Sequence, residues 1–251
     1  MIISHKHKFI FIHCRKVAGS SMKVALAPFL GKNDIVIGSI NEIIASGISL
    51  NKASKKTLIT PKGICFTTVA SLLGKTLPEA INIGIKSYYK NKLSKNPPHP
   101  KASEVAQYFP DEWNQYFKFA FTRNPYERVV SDYLWRKRQT QEEISFTDYL
   151  HLLKSNNSRA RIIHPENVSN WEMITINDTL VIDEIGKYEN LEKDFLKITN
   201  KIIGKDIKLN QEKVNFNKIN YSSFYSVKEK ELVSQIFNKE IIQFGYNFPY
   251  Q

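Results

Sequence analysis

Two short stretches of this chain carry residues whose types and spacing suit chemistry on an anion. The first is Arg15-Lys16-Val17-Ala18-Gly19-Ser20-Ser21. Small residues there free the backbone to present amides at the start of a helix, where N–H groups lack partners and the dipole favours negative charge. Arg15 and Lys16 add full positive charges beside those amides. The order is not that of the nucleoside-triphosphate loop, Gly, four residues, Gly-Lys-Ser/Thr, because the lysine here precedes the small residues. Taken alone, the stretch reads equally well as a glycine-containing turn capping a helix.

The second stretch is Thr122-Arg123-Asn124-Pro125-Tyr126-Glu127-Arg128-Val129-Val130-Ser131. It puts an arginine at the carboxyl end of a strand, where open α/β sheets bind ligands, and a serine about two turns into the next helix. A guanidinium fork plus a hydroxyl suits a terminal phosphate. The competing reading of Arg123 is a surface arginine paired with Glu127. For moving a proton near neutral pH, histidine is the suited side chain. His99, within Asn96-Pro97-Pro98-His99-Pro100, is the candidate general base because prolines can hold its loop rigidly. His164, in Arg159-Ala160-Arg161-Ile162-Ile163-His164-Pro165, is its rival, and His13 reads as packing at a strand end.

These residues must be positioned by alternating strands and helices. Lys8 to His13 is a β-branched and aromatic run with the signature of a buried central strand, and Met22 to Leu30 has helical apolar spacing. Tyr116 to Thr122 repeats the strand pattern, and Pro125 suits the first turn of a helix reaching about Arg138. Between them the reading predicts a short strand at Gly63 to Thr67 and a proline-rich turn at residues 96–100. Further on it predicts a helix over Phe146 to Lys154, a polar loop to Asn170, a strand at Thr179 to Asp183, and helices over Glu189 to Ile203 and Val227 to Phe244. The alternation implies an α/β fold, three-layered and P-loop-like, with a mostly parallel central sheet flanked by helices. A single domain over 1–251 is expected, with 31–95 and 155–175 as insertions or loops on the acceptor side.

Composition bounds the partners. The chain has 251 residues and 42% hydrophobic content, enough for a sizeable core. Its 36 Lys+Arg against 24 Asp+Glu give a net charge of +12, favouring an anionic partner such as a nucleotide, an acidic polymer or a membrane surface. Cys14 and Cys65 have neither the number nor the spacing of a disulfide framework or zinc site. With no signal-peptide stretch and no run near the roughly twenty apolar residues of a membrane span, the expected compartment is the cytoplasm of a bacterium.

On these residues the chain resembles a family. Lys16-Val17-Ala18-Gly19-Ser20-Ser21 is similar to the loop that binds the 5′-phosphosulfate in sulfotransferases using 3′-phosphoadenosine 5′-phosphosulfate (PAPS), and Phe119 to Tyr133 is similar to their 3′-phosphate-binding strand and helix. The likeness is nearest to the carbohydrate branch that includes Golgi chondroitin sulfotransferases and many small bacterial proteins. His99-Pro100-Lys101-Ala102 resembles that branch's His-x-x-Ala segment, Tyr188-Glu189-Asn190-Leu191 its helix start, and Phe244-Gly245-Tyr246 its ending. Thr122 departs from the apolar residue common before the arginine, and residues 31–95 match nothing in the pattern.

The resemblance implies transfer of a sulfuryl group from PAPS to a carbohydrate hydroxyl, releasing adenosine 3′,5′-bisphosphate, with no metal required. It gives Lys16 the bridging and 5′-phosphate oxygens, aided by Arg15, and gives the 5′-phosphate to the Val17-Ala18-Gly19-Ser20-Ser21 segment. Arg123 and Ser131 take the 3′-phosphate, and His99 takes the acceptor's proton. Lys218 and Tyr221 fall where family members close a loop over the nucleotide. Arg159, Arg161 and His164 are expected to meet an acceptor that is acidic or lipid-linked, with Trp171 stacking on a sugar face. Peripheral association with a membrane is compatible with the charge, and nucleic acid is not expected as a partner. Two rivals stand beside this reading. One is a kinase using ATP; the other is a non-enzymatic basic module for glycans or nucleic acid, whose affinity would fall steeply with salt.

Overall fold

The structure, a computed structural model, describes residues 1–155, 169–209 and 220–248. It divides into two compact units: residues 1–121 with 173–214, and residues 122–172 with 215–251.

The first unit is built on strands β1 (Ile2–Ser4), β2 (Phe9–Ile12), β3 (Ile35–Val36), β4 (Phe117–Thr122, its last residue beginning the second unit) and, after a short hairpin of β5 (Thr175–Ile176) and β6 (Thr179–Leu180), β7 (Glu184–Lys187). The sheet order is β3-β1-β2-β4-β7. Every residue of β2 is buried, as a run without polar alternation requires. Its Phe11 ring stacks on Phe119 of β4 with centroids 4.9 Å apart, and Phe121 packs towards Phe195. Burying each such ring contributes roughly 1.5–3 kcal/mol relative to exposure.

The sheet is mixed, which corrects the mostly parallel expectation. β2 pairs with β4 in parallel, but β1 pairs antiparallel with both β2 and β3. The reason is the connection. Only four residues, His5 to Lys8, link β1 to β2, with Lys8 at φ 52°, and so short a turn can only reverse the chain. Parallel pairing gives β2 and β4 their carboxyl ends at the same end of the strands.

Helices α1 (Gly19–Leu26), α2 (Ile40–Ala45), α3 (Lys52–Leu58), α4 (Pro61–Leu72), α5 (Leu77–Tyr89), α6 (Ala102–Tyr108) and α7 (Pro110–Gln115) lie between β2 and β4 in the chain. The strand expected at Gly63 to Thr67 is instead inside α4. Local start signals override its β-branched content: the Thr60 hydroxyl caps the helix by accepting from the Gly63 amide at 3.1 Å, and Pro61 occupies the first turn.

The second unit is helical. α8 (Pro125–Thr140), α9 (Phe146–Ser155), α12 (Val227–Ile236) and α13 (Asn238–Phe244) supply its core, where Val130, Tyr149, Leu150 and Val233 are fully buried. α10 (Asn170–Ile174) leads back into the first unit, and α11 (Leu191–Ile203) follows β7 there. The helix expected over Val227 to Phe244 is interrupted at Phe237, which caps both halves. The strand expected at Thr179 to Asp183 is shorter, covering only Thr179–Leu180.

Candidate active site

The loop between β2 and α1 departs from ordinary backbone twice: Lys16 and Ala18 both adopt left-handed conformations, with φ of 58° and 60°. For residues with a Cβ this costs about 1–2 kcal/mol each, a strain that collects at ligand clamps. Turns that aim neighbouring backbone N–H groups at one point form anion-binding concavities. Ala18 is the N-cap of α1 and supplies no capping side chain, and the first turn, Gly19-Ser20-Ser21, holds no acid. Neither a capping side chain nor an acid thus competes with an anion at this helix start.

Gly19 is dictated by its neighbour. A Cβ built on it would lie 1.8 Å from Nε2 of His13, so the imidazole occupies the space any side chain would need. His13 in turn stacks against Phe11 and meets His99, their ring centroids 4.3 Å apart. Read from sequence as packing, His13 is the hinge between loop and base, and only the three-dimensional fold reveals it.

His99 is half-buried, and its Nδ1 lies 2.8 Å from the His13 carbonyl oxygen. A carbonyl can only accept, so Nδ1 carries the proton and Nε2 keeps its lone pair. Burial, then the charges of Arg15 and Lys23, push the His99 pKa well below the ordinary histidine value, against a smaller opposing effect of the carbonyl. His99 is thus a neutral imidazole at pH 7 with Nε2 ready to accept a proton. His13 is lowered likewise, by burial first and then by Lys23.

The cations around these rings are inside the protein. Arg15 is 9% exposed, so its side chain does not reach into solvent, while Lys16 is half-buried. Lys23 is fully buried on α1, donates to the Ile37 carbonyl at 2.9 Å, and has its pKa lowered to about 8 by desolvation. Ser20 shares a hydrogen bond with Ser39, their oxygens 2.8 Å apart, and Ser21 is half-buried. The Glu42 carboxylate opposes the desolvation of Lys23 and favours its charged form.

In the second unit Arg123 is 5% exposed. One of its terminal nitrogens, Nη2, donates to the Tyr221 hydroxyl at 2.7 Å and reaches Glu127 at 3.3 Å, and its guanidinium lies over the Tyr221 ring, 5.4 Å from the centroid. The structure therefore joins two residues the sequence selected separately, and the pairing with Glu127 exists beside them. Asn124 caps α8 by accepting from the Tyr126 amide at 3.1 Å, fixing the helix that carries Ser131. Ser131 stands four residues after Glu127 and so shares its helix face.

Trp171 is buried and packs edge-on against Phe244, 6.1 Å between centroids, which places it in the core and not on a surface open to a sugar. Arg159, Arg161, His164 and Lys218 lie outside the described residues.

A strained loop bearing Arg15 and Lys16 thus stands against a neutral imidazole on a mixed α/β sheet. The model of the sulfotransferase family matches residues 1–248, and the chain belongs to that family. Its chemistry is accordingly sulfuryl transfer in general. An uncharacterized protein of Archaeoglobus fulgidus is 38% identical over 88 residues, covering 35% of this chain and 68% of that protein. No solved structure matches.

Proposed function

We propose that the protein transfers a sulfuryl group from PAPS to a carbohydrate hydroxyl by in-line displacement. The observation that carries this reading is the bond from His99 Nδ1 to the carbonyl of His13, which ties a neutral base to the first residue of the loop bearing Lys16. PAPS, when bound, supplies the sulfuryl group and a nucleotide leaving group.

The residues divide the work. His99 Nε2 takes the proton of the acceptor hydroxyl as its oxygen bonds to sulfur. Lys16, assisted by Arg15, neutralises charge on the bridging oxygen as the sulfur–oxygen bond to the 5′-phosphate breaks, releasing adenosine 3′,5′-bisphosphate. The amides and hydroxyls of the Val17 to Ser21 segment hold the 5′-phosphate, and Arg123 with Ser131 holds the 3′-phosphate, with Tyr221 orienting the guanidinium. Such transfers depend on alignment and charge stabilisation more than on covalent help. Buried cations, the lack of a capping side chain at Ala18 and the absence of acid in the first turn of α1 fit a dianionic group there. Arg159, Arg161 and His164 are proposed for the acceptor.

The test is incubation with sulfur-labelled PAPS and a panel of saccharides carrying free hydroxyls. Label should pass to a glycan with wild type and not with His99→Ala, while His99→Ala still binds adenosine 3′,5′-bisphosphate. Turnover undiminished in His99→Ala would move the base elsewhere, and label passing to no saccharide would remove the carbohydrate assignment.

A further inference from the structure

The hairpin of α4 and α5 is packed in an unusual sense. The only buried residues of α4 are Gly63 and Ala70, and close to it α5 brings Gly84, where an added Cβ would meet Thr67 Oγ1 at 2.1 Å. Small residues thus make the helix contact, and the large apolar side chains are turned outward. Ile64, Phe66 and Val69 are exposed, Leu72 and Leu73 at the tip are 81% and 76% exposed, and Leu77 across the turn is 66% exposed. Phe66, Val69 and Leu72 or Leu73 recur at three- and four-residue steps, one helix face. Single exposed leucines are ordinary, but a concentration of this kind marks an interaction surface.

Charge selects the partner. Residues 51–95 contain nine lysines and one glutamate, so this segment holds eight of the chain's twelve net positive charges. Lys75 lies exposed in the tip itself between Leu73 and Leu77, while the exposed Lys52, Lys55 and Lys56 stand on α3, which Ile59 and Thr60 join to the other end of α4. A two-fold dimer through this face would set the same positive charge against itself. An acidic polymer would meet the lysines but would leave the leucines in water.

We infer that the α4–α5 hairpin docks on an anionic lipid bilayer, with Leu72, Leu73 and Leu77 entering the apolar edge of the headgroup layer and Lys75 lying among the headgroups. No helix among the described residues is long and apolar enough to cross a membrane, so the contact is interfacial. This surface is independent of the sulfuryl-transfer reading, and either can fail without the other.

The experiment is flotation of the full chain with phosphatidylcholine vesicles, with and without phosphatidylglycerol. Wild type should float with the anionic vesicles and not with phosphatidylcholine alone. Leu72→Ser/Leu73→Ser and Lys75→Glu should each lose binding by about tenfold or more, while keeping the wild-type thermal midpoint and adenosine 3′,5′-bisphosphate binding. A separate Leu73→Trp variant should show a blue-shifted emission on adding anionic vesicles. Failure of wild type to float, or flotation unaffected by the leucine changes, would overturn the proposal. So would a dimer in solution that Leu72→Ser/Leu73→Ser dissociates, since that assigns the face to a second copy.

Discussion

The imidazole of His13 fills the space that a side chain on residue 19 would need, Nε2 standing 1.8 Å from the position of a Cβ on Gly19. Loop, helix start and base are thereby one packed unit, because the same ring also touches His99. Gly19→Ala must displace the ring, and overpacking of this kind costs about 1–3 kcal/mol. In a His13→Ala background the same substitution should cost far less. Urea unfolding of the two single variants and the double variant measures the coupling; strict additivity would mean the contact is not felt.

The depressed pKa of His99 sets a rate prediction. Its imidazole is neutral well below pH 6.5, so kcat/KM should stay flat from about pH 6.5 to 7.5, falling only in more acidic solution. Lys23 is among the charges that hold the value down, and Lys23→Met should move the acid limb upward in pH. A titration of His99 by nuclear magnetic resonance checks the shift directly, and an unmoved midpoint would remove Lys23 from the electrostatics of the base.

The same shifts govern stability. In the unfolded chain His13 and His99 bind protons below about pH 6.5, whereas in the folded protein they resist doing so. The unfolded state therefore holds more protons in this window, and stability is lost as pH falls below about 6.5. Each histidine contributes up to about 1.4 kcal/mol per pH unit. Denaturant midpoints between pH 7 and 5 should fall more steeply for wild type than for His99→Gln; equal slopes would contradict the buried, neutral assignment.

In the second unit, Arg128 donates to both oxygens of Glu240 at 2.8 and 3.0 Å, and Glu240 is fully buried. Burial raises the Glu240 pKa while Arg128 opposes the rise. Arg128→Met leaves the carboxyl without its counter-charge and should destabilise by about 3–5 kcal/mol, with Arg128→Met/Glu240→Leu recovering much of the loss. Thermal unfolding of both variants decides it: a double variant as unstable as the single one would show that the pair's charges are not what matters.

How much of this was legible in the sequence differs from place to place. β2, β4, α8 and α9 were readable because long apolar or amphipathic runs leave little choice of state, and the Arg15 to Ser21 loop was readable from its charge and small residues. β1 was missed because three residues carry too weak a period, and with it went the antiparallel pairing that makes the sheet mixed. Residues 63–67 of α4 read as a strand because Ile64, Phe66 and Thr67 favour one locally, while Thr60 and Pro61 decided for a helix. The role of His13, the bond from His99, the burial of Lys23 and the meeting of Arg123 with Tyr221 join residues distant in the chain, and no local spacing encodes them. Trp171 looked like a sugar platform by type alone, and burial decided otherwise.

The claim on which the functional reading rests is that the Lys16 loop and Arg123 serve one nucleotide bearing phosphates at both ends. Calorimetric titration of wild type, Lys16→Ala and Arg123→Ala with adenosine 3′,5′-bisphosphate and with AMP tests it most directly. Wild type should prefer the bisphosphate by about a hundredfold, as a charge-assisted guanidinium–phosphate contact of about 2.7 kcal/mol requires. Arg123→Ala should abolish that preference, and Lys16→Ala should weaken both ligands alike. Equal affinity of wild type for the two nucleotides, or a preference that survives Arg123→Ala, would contradict it.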